Sequence, residues 1–108
     1  MKQQSLFDEV QHCEIEKIAL YALGEFQTRG HKLADRQLAL DRLLGAFRRA
    51  AEHFQATQLT DEQIAETLER LGAKVKKVPS FFAKHPFRIT VPLSLAEKAR
   101  KFFDEQNR

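Results

Sequence analysis

A chain of 108 residues is one domain's worth, and 43% hydrophobic with 31% charged residues places it among folded globular proteins, neither disordered nor membrane-embedded. Its size lets it bury about two-thirds of the surface its unfolded form exposes, so a core needs no staple, and the single Cys13 has no internal disulfide partner. The polar opening Met1 to Ser5, followed by Asp8 and Glu9, lacks a signal-peptide pattern, and the apolar run Ile18 to Gly24 falls far short of the ~20 residues a spanning helix needs. A single domain over residues 1–108, without a transmembrane segment and in a reducing cytoplasm, is the expectation.

Leu6, Phe7, Val10, Cys13, Ile18 and Tyr21 recur at three- to four-residue steps and predict a first helix from about Ser5 to Phe26. Its stretch Ile18 to Leu23 is apolar on every side, which places it centrally in the core or in an oligomer interface, with a homodimer through this helix as the expected cover. Leu33, Leu40, Leu44, Phe47, Ala51 and Phe54 form one stripe and predict a second helix from about Leu33 to Gln55, in which Gly45 suggests the close approach of another backbone. A third helix is bounded at Asp61 and Leu71 by a Thr60/Gln63 capping box and by Gly72 at the left-handed C-terminal position.

Beyond Gly72 the period shortens. Ala73 to Val78 and Phe87 to Val91 are β-branched segments punctuated by Pro79, Pro86 and Pro92, and they predict a hairpin with Phe87, Ile89 and Val91 on its buried face. Ser94, with Glu97 completing a second capping box, predicts a last helix from Leu95 to about Gln106. Phe47, Leu68, Leu71, Ile89 and Phe102 are expected to share one core. The fold class is α+β and mostly helical: three helices, a β-hairpin and a C-terminal helix. From about residue 33 to 108 this element order resembles the winged helix-turn-helix plan, in which a helix ending near Gly continues into a two-stranded wing.

The charge is polarised along the chain. Residues 1–72 carry nine Lys or Arg against twelve Asp or Glu, a net −3, whereas residues 73–108 carry nine against three, a net +6. Between Ala73 and Pro92 stand Lys74, Lys76, Lys77, Lys84, His85 and Arg88 with no acid among them, and Phe81, Phe82 and Phe87 interleave. Cations in that density attract polyanions, and contacts from them to phosphates release counterions. Phe81 and Phe82 have the chemistry to stack on bases if exposed, or to fill core if folded inward. Lysines on a short strand also guard against edge-to-edge pairing, and an anionic membrane surface would attract the same charges. In the winged-helix plan the helix before the wing enters the major groove, but here that helix carries Asp61, Glu62, Glu66 and Glu69 against Arg70 alone, and carboxylates repel phosphates. Any nucleic-acid contact is therefore assigned to the hairpin.

Catalytic and metal patterns are weak throughout. His12 and Cys13 are helix neighbours, about 100° apart, and do not converge on one ion. Cys13 lies on an apolar stripe as a buried thiol would, and Glu62, Glu66 and Glu69 recur as a solvated helix face does. His31 reads as a loop residue and His53 as a cation near a helix C-terminus. The glycines are too scattered to cradle phosphate, and Arg36, Arg42, Arg48 and Arg49 are interspersed with Asp35, Asp41 and Glu52 as an ion-paired surface. The expectation is a non-enzymatic binding module without metal or cofactor, whose basic hairpin contacts nucleic acid or another polyanion with little sequence preference. The alternative is a protein-interaction or assembly module that uses the apolar surface of the first helix.

Overall fold

A computed structural model describes residues 2–78 and 87–107, with the side chains of the first helix from Glu14 onward. The chain runs through α1 (Lys2–Thr28), β1 (Gln37–Ala39), a 3-10 turn (Leu40–Arg42), α2 (Leu44–His53), α3 (Asp61–Leu71), β2 (Lys74–Lys77), β3 (Phe87–Thr90) and α4 (Leu93–Gln106). The result is a mostly helical α+β fold with a three-stranded antiparallel sheet ordered β1-β3-β2. None of its helices, among the described residues, is long and apolar enough to cross a membrane.

The all-round apolar stretch of α1 is the axis of the core. Ile18, Ala19, Leu20, Tyr21, Ala22, Leu23 and Phe26 are all buried, and α2, α3 and α4 of the same chain pack around them. This enclosure accounts for the apolar run without a second copy, so the sequence argument for a homodimer through Ile18–Leu23 loses its premise. α1 and α4 touch at a point of close backbone approach. A Cβ on Gly24 would stand 2.5 Å from the Ala99 carbonyl oxygen and 2.4 Å from Phe103 Cβ, so only glycine fits. Gln27 ties the same pair of helices by donating from Nε2 to the Ala96 carbonyl at 2.8 Å. The close approach expected at Gly45 does not occur there, where an added Cβ would meet only the Arg49 guanidinium at 3.3 Å.

The second helix is shorter than its leucine stripe implies. Residues 33–43 instead form a turn, β1 and the 3-10 turn, and α2 begins at Leu44. Leu38 decides between the two readings: a helical stripe through Leu33, Leu40 and Leu44 leaves it out, whereas the structure buries it to 4% exposure in register with Ile89. Leu38 and Leu40 therefore follow the two-residue period of a strand. The segment is held to the sheet by Asp35, whose φ of 58° turns the chain and whose amide donates to the Val91 carbonyl at 2.7 Å. Preceded by the 3-10 turn, α2 has Leu43 as N-cap and no side-chain cap.

α3 keeps the limits read from its caps. Thr60 Oγ1 accepts from the Gln63 amide at 3.1 Å, Gln63 Oε1 accepts from the Thr60 amide at 2.9 Å, and Gly72 closes the helix at φ 115°. At α4 the sequence reading is corrected. The N-cap is Pro92, whose carbonyl accepts from the Ala96 amide at 3.0 Å, so Ser94 lies within the first turn and caps nothing. Phe47, Leu68 and Ile89 belong to one buried cluster, with Leu71 and Phe102 packed against its margin, as expected.

Candidate nucleic-acid interface

The basic face is built by strand alternation. Phe87 and Ile89 of β3 point into the core, leaving Arg88 and Thr90 on the outer side. In register with them, the outer face holds two rows across the three strands: Gln37, Thr90 and Lys74 in one, Ala39, Arg88 and Lys76 in the other. The opposite face carries the row Leu38, Ile89 and Val75. Lys74 and Lys76 therefore share the outer face and Lys77 does not. Lys77 pairs with Phe87, and its Nζ sits 5.8 Å from that ring's centroid, a cation–π distance. Lys84, His85, Phe81 and Phe82 lie outside the described residues.

Lys74, Lys76 and Arg88 border an open depression of about 430 Å³, together with Gln37, Thr90 and, on the α3 side, Glu69. Lys76 and Arg88 are direct cross-strand partners, and like charges so placed repel. Glu69 stands at the border of this depression but closes no ion pair with them: among the described residues, Lys74, Lys76 and Arg88 take part in none. Edge protection explains lysines on β2, which is an edge strand, but not Arg88, because β3 is paired on both sides. Beside this face, α3 exposes Glu62, Glu66 and Glu69, and its one cation, Arg70, is engaged with Glu66 at 2.8 Å and Glu16 at 3.9 Å.

Glu25 and two histidines are held in structural contacts. Glu25 on α1, with 12% of its side chain exposed, accepts from Arg49 Nε at 2.8 and 2.9 Å and from Arg29 Nε at 3.1 Å. Burial raises the Glu25 pKa, but the hydrogen bonds and charges of Arg49 and then Arg29 outweigh it and hold the carboxyl below its ordinary value. Arg49 feels the nearby charge of Glu52 and also forms a tie from α2 to α1, a pairing across 24 residues that no local pattern announces. His31 stacks on Phe26 at 4.7 Å and His53 on Tyr21 at 4.3 Å. No group of three or more His, Cys, Asp or Glu suited to a metal occurs among the described residues. The side chains of His12 and Cys13 lie outside them.

No family model, curated protein or solved structure matches this chain significantly. The functional reading rests on the chemistry of the sheet face alone.

Proposed function

We propose that this chain is a small non-enzymatic module of the cytoplasm that binds nucleic acid through the outer face of its sheet. Lys74, Lys76 and Arg88 contact phosphates there, with Lys84 and His85 as further contacts. The observation that carries the reading is Arg88, a cation on the central strand facing Lys76, with neither held in an ion pair among the described residues. Such an arrangement costs stability in the absence of an anion and is relieved when a phosphate sits between the two. The acids of α3 argue against that helix reading bases in a groove, so the contacts are to the backbone and carry little sequence preference.

The test is retention of mixed-sequence nucleic acid at low salt. Wild-type protein binds at micromolar or weaker affinity, and replacing Lys74 and Lys76 together by Glu nearly abolishes binding without loss of fold. Lys77→Glu, on the other side of the strand, has a smaller effect. Absence of binding at low salt, where phosphate contacts are strongest, would sink the proposal.

A further inference from the structure

We infer that the sheet face takes a single strand of nucleic acid in preference to a duplex, because Glu69 of α3 borders the cations on one side. The inference rests on the nucleic-acid reading above and adds the form of the ligand. The cation cluster is small. Lys74 and Lys76 are two residues apart on one strand, about 7 Å, and Arg88 is one strand away, about 5 Å. That footprint grips a short length of one backbone, whereas a duplex presents two phosphate rows flanking grooves about 6 and 12 Å wide.

The position of Glu69 supplies the second constraint. It lines the same depression as Lys74, Lys76 and Arg88. Glu62 and Glu66 continue from it along one face of α3, at helical spacing, away from the sheet. Arg70 neutralises Glu66, but Glu62 and Glu69 have no cationic partner among the described residues. A stiff duplex laid on the cations brings more of its phosphates against Glu69 and the acids that follow it along α3, where like charges meet. A flexible single strand turns away from α3 and keeps its phosphates on the lysines.

This preference runs against the electrostatic default. A duplex carries a charge every ~1.7 Å of axis and one strand every ~3.4 Å, so an unobstructed basic patch holds the duplex more tightly. A preference for the single strand therefore reports the acidic border and not charge attraction alone.

The experiment compares a labelled 20-nucleotide mixed-sequence DNA with the same strand annealed to its complement, by fluorescence anisotropy at one low salt concentration. Wild-type protein is expected to bind the single strand several-fold more tightly. In Glu62→Gln/Glu69→Gln protein the duplex affinity should rise and the gap should close, while single-strand affinity changes less. Glu69→Gln alone, which leaves the first turn of α3 intact, should move the ratio in the same direction. Equal or tighter duplex binding by the wild type overturns the inference and leaves the nucleic-acid reading standing. So does a strand preference that neither variant changes. Binding of neither DNA overturns both.

Discussion

Lys76 on edge strand β2 and Arg88 on central strand β3 are direct register partners on the outer face of the sheet, two cations opposed with no carboxylate paired to either among the described residues. Opposite charges in such a position stabilise a sheet by about 0.2–1 kcal/mol and like charges oppose it. Lys76→Glu is therefore expected to raise the urea midpoint modestly while weakening nucleic-acid binding. Stability and binding moving in opposite directions is the signature of a residue kept for a ligand; a fall in both would mark Lys76 as a packing residue.

Gly24 and Gly45 make a paired test of backbone approach. A Cβ at Gly24 meets the Ala99 carbonyl and Phe103 Cβ at 2.5 and 2.4 Å, one of them rigid backbone. Overpacking of this kind costs about 1–3 kcal/mol or more, which outweighs the ~1 kcal/mol a helix gains from Gly to Ala. Gly24→Ala should lower the unfolding midpoint clearly. Gly45→Ala, which meets only the end of the Arg49 side chain, should change stability by less than about 1 kcal/mol.

Glu25 gives the fold a defined acid response. Its pKa is held below the unfolded value by Arg49 and Arg29, against the effect of burial, so the unfolded state binds more protons and stability rises with pH across that window. The contribution is complete above the unfolded pKa of about 4.3 and is lost as pH falls through the lower folded value. Urea unfolding of wild-type and Glu25→Gln protein should differ at pH 7, with the wild type more stable, and the difference should shrink towards pH 3. A difference independent of pH would mean that the carboxylate's charge contributes nothing.

Leu68 is fully buried in the cluster that joins α1, α2, α3 and the sheet. Leu68→Ala should destabilise by about 2–5 kcal/mol through lost burial and a residual cavity, measured by denaturant unfolding. A cost near zero would place α3 outside the core.

What was legible in the sequence divides along the range of the interactions. α3 could be bounded at both ends because its signals, Thr60, Gln63 and Gly72, are local and each satisfies a backbone group of its own helix. β1 was hidden because three residues are too few to establish a period, and Leu33, Leu40 and Leu44 complete a helical stripe that passes over Leu38. Pro92 displaced Ser94 as the cap of α4 because a carbonyl alone sufficed to start the helix. The glycine that admits a neighbouring backbone is Gly24, directly after the all-round apolar stretch of α1, where close packing is required, and not Gly45 near the start of α2. At the basic face, alternation separated Lys74 and Lys76 from Lys77, but the opposition of Lys76 and Arg88 depends on strand register, which the composition of either strand leaves undetermined.

The central claim is that Lys74, Lys76 and Arg88 contact phosphate, and the salt dependence of binding tests it most directly. Affinity for a mixed-sequence single strand, plotted as log K against log salt, should fall with a slope of about −2 or steeper, since Lys74, Lys76 and Arg88 contribute about −0.7 each and any contact from Lys84 or His85 adds to it. Lys76→Ala should make that slope shallower by about 0.7. A slope near zero, or one that Lys76→Ala leaves unchanged, would contradict the account.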